Sequence, residues 1–414
     1  MPTPRAWRLL FIAIILYLLA NQSQVGWLYI ITDGLIGLLI VAFFYSRGML
    51  NTVEAKRTFH PETAGVPKLG FGRQSSTLSL PNEEPLDFTA PAFHENDPIQ
   101  VSLQFRQRRL RPAWQVGGLE SCPFAPPDDQ TQPLFIPSLI RGQPINLSYQ
   151  TSCDRRGHFT FAAMPLHSKG PFGLFHTQRS LPVPSELLIY PAYHPLKRLR
   201  LFEKREIAEH QSLHLGRGSE IIGTREYRPG DSLRQVHWRS TARTGKLVVK
   251  EFTDDEQPAM TVVLDLQMGS GVGQGKFSTF ETAIRLAASL GYYATRKNIP
   301  FRLAGSSKKW APPATPLSWW AILNYLARVE NDGQESLATC TEIIYLPLPL
   351  WWCWSAKSMK AKALPSLARP GSQGLVFFIT PDGLLPPLAH LARAPEVELK
   401  SVSPYNWAEV LDKL

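Results

Sequence analysis

Two apolar runs at the start of the chain constrain it more than any other feature. Residues 9–20 read LLFIAIILYLLA, and residues 27–45 contain no Lys, Arg or Glu. The second run spans 19 residues, close to the roughly 20 that cross a hydrocarbon core as a helix. The first is shorter and borrows from its flanks, with Arg8 snorkelling. NQSQVG between them is polar and uncharged, and Trp7, Trp27, Tyr29 and Tyr45 stand where interfacial aromatics are expected. Arg5 and Arg8 precede the pair, while Arg47, Lys56 and Arg57 follow it. The positive-inside rule then predicts a hairpin with both ends in the cytoplasm. A cleaved signal peptide is the competing reading, but no A-x-A site follows Leu19 and a second span comes at once. Asp33, the acid within the second span, lies about two turns from its outer end and reads as an interfacial group reached by water.

The chain has 414 residues, enough for two to three domains at about 150 each. A hydrophobic fraction of 44% excludes a wholly disordered chain, and four cysteines exclude a disulfide-stapled scaffold. Cytoplasmic exposure would keep those cysteines reduced. The boundaries read from composition are 1–50 for the hairpin, 51–195 for a β-rich domain and 196–414 for the rest.

Residues 54–190 alternate apolar and polar positions in short runs, among them IQVSLQF (99–105), INLSYQ (145–150), HFTFAAM (158–164) and ELLIY (186–190). Turn residues separate these runs. Period-two alternation of this kind predicts a small antiparallel β-sandwich. Cys122 and Cys153 are candidate strand neighbours with no defined pairing. Cys153 with Asp154 and His158 forms a nucleophile–base trio on paper, but a cysteine on the buried face of a strand is the better account.

The most informative stretch is residues 215–252, LGRGSEIIGTREYRPGDSLRQVHWRSTARTGKLVVKEF. Residues 197–250 hold 13 Lys/Arg and 6 Asp/Glu, a net +7 of the chain's +10. Gly216 and Gly218 permit backbone excursions that other residues resist. Arg225, Glu226 and Tyr227 lead into Pro229-Gly230-Asp231, a strong turn signal. Arg234 and Trp238, and likewise Arg239 and Arg243, stand four apart, as on one face of a short helix. Residues 247–252 read as a strand. On residue physics alone two readings stand: an ion-pair and stacking network that buttresses a junction, or a docking surface for an acidic or phosphorylated partner.

This stretch resembles the bacterial family known as domain of unknown function 58. The resemblance rests on Gly216-x-Gly218-x-Glu220, Arg225-Glu226-Tyr227, Pro229-Gly230-Asp231, Arg234, Trp238, residues 240–243 and Glu251-Phe252. Arg155-Arg156-Gly157, Pro171-Phe172-Gly173-Leu174-Phe175 and Ile189-Tyr190-Pro191 extend it, as does the N-terminal hairpin. The resemblance implies a von Willebrand factor A-like C-terminal domain. It also implies company with MoxR-type AAA+ ATPases, which use such proteins as assembly or maturation cofactors.

Beyond the motif, TVVLDL (261–266), FRLAG (301–305), GLVFFIT (374–380) and VELKSV (397–402) read as strands. Helical periodicity lies over 280–294 and 317–329, and a last amphipathic helix closes the chain. Alternating strands and helices predict a doubly wound parallel sheet, so the whole chain is an α+β multidomain protein. The resemblance places a cation site of the pattern Asp-x-Ser-x-Ser at the end of the first strand. Here it reads Asp265-Leu266-Gln267-Met268-Gly269, with Asp382 as a distant second acid. Hard cations need several oxygen ligands, so no cofactor is expected and a divalent ion such as Mg2+ is not expected to be held. GVGQGK (271–276) fails as a phosphate loop, because Ser270 replaces the first Gly and Phe277 follows Lys276. Trp351, Trp352 and Trp354 beside a basic stretch suggest either core packing or a membrane-surface contact.

Three functions compete. A non-enzymatic, membrane-anchored adaptor with a MoxR-type ATPase, other membrane proteins and inner-membrane lipid as partners fits best. A hydrolase or transferase built on Glu226, Asp231 and His237 is the alternative. Nucleic-acid binding is disfavoured despite a pI near 9.4, because acids interleave with the arginines.

Overall fold

A computed structural model of the chain describes residues 1–61, 92–199, 215–228, 236–253, 260–305, 307, 317–334, 350–355, 374–381 and 397–413. It divides into two units, Met1–Tyr190 and Pro191–Leu414.

The first unit opens with helix α1 (Pro4–Ser23), capped by the Thr3 side chain, and helix α2 (Gly26–Ser46). Both are long and apolar enough to cross a membrane. Ala6, Ala13 and Ala20 are buried on α1, with Leu9 and Leu16 half-buried between them. Leu28, Thr32, Leu39, Ala42 and Ser46 are buried on α2, with Leu35 half-buried. Spacings of three and four on both helices make a coiled-coil seam, and the alanines let the backbones approach closely. The Thr32 hydroxyl donates to Leu28 O at 2.9 Å, so it brings no unsatisfied polar group into the seam. Phe11, Ile15, Ile30 and Phe44 face outward, as lipid-facing side chains do. Asp33 is exposed, off the seam.

Two sheets follow. The first has strands β1 (Val53–Pro61), β3 (Pro98–Gln107) and β6 (Ile145–Ser152), in the order β1-β3-β6 and antiparallel. The second has β2 (Phe93–His94), β4 (Ala113–Ser121), β5 (Thr131–Leu139), β7 (Gly157–Ser168) and β8 (Thr177–Tyr190), in the order β2-β8-β7-β4-β5. β3 buries Ile99, Val101, Leu103 and Phe105 while the residues between them turn outward, which is the period-two rule at work. Leu103 and Phe105 share one apolar cluster with Val116, Ile136 and Leu166 of the second sheet.

Arg57 crosses between the sheets. Its Nε donates to Glu120 Oε1 at 2.7 Å, and its guanidinium also reaches Val183 O (3.1 Å) and Ser185 Oγ (2.6 Å). The ring of Phe161 lies 4.5 Å from the guanidinium carbon. The charge of Arg57 is therefore paired inside the folded domain. Cys122 and Cys153 are both free and buried in a second apolar cluster around Phe124 and Ile189. Burial pushes the Cys122 thiol up to about 11, although its contact with the Tyr149 hydroxyl at 2.8 Å works the other way. Burial likewise pushes Cys153 up to about 12, with Asp97 adding to it. These are inert core thiols.

The hairpin is tied to the sheets at both ends by the connection between β7 and β8. Thr3 Oγ1 donates to Gly173 O and Leu174 O, each at 2.9 Å, and Thr3 N donates to Leu174 O. Leu174 is buried against Ala6 of α1 and against Leu39 and Ala42 of α2, and Phe175 meets the Phe43 ring edge-on at 5.5 Å. Gly173 sits at φ +68, with the Arg5 guanidinium close to where a Cβ would stand, so a glycine is needed there. Pro171-Phe172-Gly173-Leu174-Phe175 is thus the plug on which the two helices seat.

The second unit contains an antiparallel ribbon of β9 (Leu215–Glu226) and β10 (Val248–Thr253), with the short helix α3 (Trp238–Thr244) between them in sequence. Its main sheet is parallel: β11 (Met260–Leu264), β12 (Phe301–Gly305), β13 (Leu350–Ser355), β14 (Gly374–Ile379) and β15 (Val397–Val402). The spatial order β12-β11-β13-β14-β15 is the doubly wound order 2-1-3-4-5, whose switch point lies between β11 and β13. Helix α4 (Thr279–Arg296) is capped by Ser278 and packs on this sheet through Ile284, Ala287 and Leu290. Helix α5 (Trp319–Arg328) crosses it at Gly291, where a Cβ would stand 3.1 Å from Ile322. Tyr193, Tyr292 and Trp319 form an aromatic cluster with centroids 4.8 to 5.5 Å apart. Helix α6 (Trp407–Asp412) closes the unit.

The crowded tryptophans fall on a strand of this sheet. Trp351, Trp352 and Trp354 lie on β13, which hydrogen-bonds to β11 on one side and β14 on the other. A strand held at both edges of its backbone is an internal sheet element.

Candidate functional site

The motif residues assemble around the β9–β10 ribbon. Arg225 opposes Val249 and Glu226 opposes Val248. The register then jumps, so that Glu251 faces Gly223 while Phe252 faces Gly216. Residues 217–222 lie outside the pairing with β10, and Gly216 and Gly223 flank the irregularity. Glycines inside strands mark such bulges. Gly218 and Glu220 lie within this segment. Gly230, Asp231 and Arg234 lie outside the described residues.

α3 begins at Trp238, and the expected Arg234–Trp238 pairing falls on Arg234, outside the described residues. Arg239 and Arg243 do share the helix. Its start explains His237. The Nδ1 of His237 accepts from Ser240 N at 3.2 Å and contacts Ser240 Oγ at 2.7 Å, which makes the imidazole the N-cap. His237 N donates to Val248 O, and Thr241 Oγ1 accepts from Val248 N at 3.1 Å. Gly245, at φ +71, ends the helix and donates to Thr241 O. Lys246 pairs with Glu226 at 2.9 Å, and that hydrogen bond holds the ammonium above its usual range. Tyr227 N donates to Leu247 O. The bonds of His237 N to Val248 O and of Val248 N to Thr241 Oγ1 hold α3 against the ribbon.

What the clamp presents is Trp238, 66% exposed, beside the exposed Arg239 and Arg243. An indole kept in water on a fixed helix, flanked by guanidinium groups, has the composition of a binding hot spot. His237 is instead committed to capping through Nδ1, and Glu226 is engaged by Lys246. The structure brings Glu226 and His237 onto one element pair, while Asp231 lies outside the described residues.

The second candidate lies at the C-terminal edge of β11. Asp265 is 4% exposed, and its Oδ1 accepts from Gln267 N at 3.1 Å. Residues 266–268 are pinned to Gly333 by Gly333 N to Leu266 O and Met268 N to Gly333 O, both 2.7 Å. Ser270 Oγ donates to Asn331 Oδ1 at 3.5 Å. This edge is where ligands bind in open parallel sheets. Among the described residues no three acids, histidines or cysteines gather as a metal site, and Asp382 lies outside them. GVGQGK is a capping loop: Val272 and Thr279 exchange hydrogen bonds, and Gly273 at φ +93 stands where a Cβ would meet Phe277 O at 2.9 Å.

Residues 223–330 match the family model described as "Protein of unknown function DUF58". One curated relative, "Uncharacterized protein YeaD" of Bacillus subtilis (strain 168), is 21% identical over 170 residues. The match covers 40% of this chain, which spans about two fifths of that relative's length. Among solved structures, a GH20 exo β-N-acetylglucosaminidase of Vibrio harveyi aligns with a TM-score of 0.18 and 8% identity, covering 70% of this chain and 56% of that one. Cwp6 from Clostridium difficile aligns with a TM-score of 0.13 and 11% identity, covering 78% and 38%. At such scores neither bears on fold or function.

Proposed function

We propose that the chain is a membrane-anchored, non-enzymatic adaptor that works with a MoxR-type AAA+ ATPase in assembly or maturation of other proteins. In this reading the hairpin sits in the bacterial inner membrane with both termini cytoplasmic. The first unit's two facing sheets are a β-sandwich, and the parallel sheet of the second unit is a von Willebrand factor A-like domain without its cation. The observation that carries the reading is Trp238: a short helix clamped by a histidine cap, a threonine and a ribbon, holding one indole and two arginines in solvent. Catalysis by the motif, the alternative, is less well supported, because His237 Nδ1 caps the helix and Glu226 pairs with Lys246, so both already hold the motif together.

The test is affinity purification of the full chain from native membranes, with and without a non-hydrolysable ATP analogue. Recovery of an AAA+ ATPase that depends on nucleotide and falls with Trp238→Ala/Arg243→Ala supports the proposal. Equal recovery with the double variant moves the contact elsewhere. If no ATPase is recovered while other membrane partners are, the adaptor reading fails.

A further inference from the structure

The charges of the first unit are sorted along its strands. The end of β3 pairs with the start of β1, directly after α2, so Gln107 opposes Val53. Arg108 N donates to Thr52 O at 3.1 Å, and Tyr45 of α2 donates from its hydroxyl to Pro112 O at 3.0 Å. Trp114 Nε1 in turn donates to Tyr45 Oη at 3.2 Å. The β3–β4 connection is therefore fastened to the membrane end of α2. The β5–β6 and β7–β8 connections share this pole, since Leu139 opposes Ala113 and Thr177 opposes Ser168.

Every charged residue in these segments is a cation. Residues 1–8, 44–53, 104–114, 138–144 and 168–177 contain no Asp or Glu. They contain Arg47, Arg106, Arg108, Arg109, Arg111, Arg141 and Lys169, all exposed, in addition to the arginines of α1. The nearest acid, Glu54, pairs with Arg108 at 3.0 Å. The opposite ends of the strands carry both signs, with Asp97, Asp128, Asp129 and Asp154 as well as Arg155 and Arg156. Large apolar side chains stand among the cations. Leu110 is 78% exposed at the tip of the β3–β4 connection, and Phe172, 51% exposed, adjoins the plug that seats the helices.

We propose that this pole is a peripheral membrane contact, in which Arg109 and Arg111 bind the phosphates of anionic lipid while Leu110 and Phe172 enter the headgroup layer. The proposal rests on the membrane reading of the hairpin and deepens it by naming the lipid class and the side chains that meet it. Three features commit the surface to lipid. It is continuous with the membrane ends of α1 and α2. Its charge is strongly positive, with Glu54 paired to Arg108 as the acid at its margin. Its apolar groups are tips rather than a groove, which suits a fluid headgroup layer better than a folded partner. Placed at that depth, each arginine favours an anionic over a neutral surface by roughly fivefold.

The experiment uses the full chain reconstituted in vesicles of phosphatidylcholine alone or mixed with phosphatidylglycerol. An environment-sensitive fluorophore is attached at L110C and read against the parent chain's own labelling, with nitroxides at headgroup or acyl depth as quenchers. A second probe at I15C, on the outward face of α1, reports insertion independently. The expected result is blue-shifted emission at L110C, quenched by the headgroup nitroxide and stronger in the anionic vesicles. R109E/R111E should reduce that quenching several-fold, and R109K/R111K should preserve it. If I15C is quenched by the deep nitroxide while L110C stays water-like in both vesicles, the lipid contact is refuted and the hairpin reading stands. Quenching at L110C that ignores both lipid charge and R109E/R111E also overturns it. If I15C is not quenched, the membrane reading falls and the proposal with it.

Discussion

Replacing Arg57 with alanine should be the most damaging single change in the first unit. The guanidinium is held by Glu120 at 2.7 Å, Val183 O at 3.1 Å, Ser185 Oγ at 2.6 Å and the Phe161 face. Side-chain exposures of 2% and 1% leave neither charge of the pair any water. Glu120 Oε2 already has no hydrogen-bond partner, so Arg57→Ala strands a whole carboxylate in the core. Breaking a buried pair from one side costs about 3–5 kcal/mol. In a unit of this size that lowers the unfolding midpoint by about 6–20 °C. Arg57→Lys keeps a charge but loses the fork that reaches three acceptors, and should fall between wild type and alanine. Arg57→Leu/Glu120→Leu removes both charges and should return to within about 1 kcal/mol of wild type or exceed it. The assay is differential scanning calorimetry of the full chain in detergent, following the transition that moves with these substitutions. A shift for Arg57→Ala no larger than that of an exposed pair, under about 1 kcal/mol, would refute the reasoning, as would a double variant no better than the single.

Three further outcomes follow from the same contacts. Cys122 and Cys153 should resist a thiol reagent at neutral pH and react only on unfolding. Both thiols are raised in the folded state, so it holds more protons than the unfolded chain above pH 9. Stability should therefore be complete below about pH 9 and fall by up to about 1.4 kcal/mol per thiol per pH unit as pH rises towards 11–12, checked by denaturant midpoints across pH. His237→Ala should cost α3 about 1 kcal/mol and raise amide exchange at residues 240–244, whereas His237→Asn should retain the cap. Ala13→Leu should force apart the seam at its centre and lower the thermal midpoint in detergent, whereas Ile15→Leu on the outward face should be neutral within about 0.5 kcal/mol.

Features carried by local pattern are legible from the residues. The hairpin follows from two apolar runs, and strands such as β3 follow from strict alternation, because both signals repeat within a few residues. β13 is hidden because an internal parallel strand has no polar face to alternate with. The partner of Arg57 is hidden in the sequence because it is 63 residues away and only the fold brings the two together. Leu174 sits in a recognisable motif, but that it plugs the helix pair depends on the fold. At the candidate site, the run from Arg225 to Arg243 stands out by its charge and turn residues. The distinction between the clamp and what it displays does not. His237 and Trp238 are neighbours in sequence, yet one caps the helix and the other faces solvent. Only the start of α3 at residue 238 separates their roles.

Trp238 is, on the adaptor proposal, the contact a partner ATPase reads. The most direct test replaces Trp238 with a photo-crosslinking amino acid in the full chain and irradiates native membranes with and without a non-hydrolysable ATP analogue. The proposal predicts a nucleotide-dependent adduct with an AAA+ ATPase from position 238 and none from Gln132, on the β4–β5 side of the first unit. Adducts of equal yield from both positions, or an ATPase adduct from Gln132 alone, would contradict it.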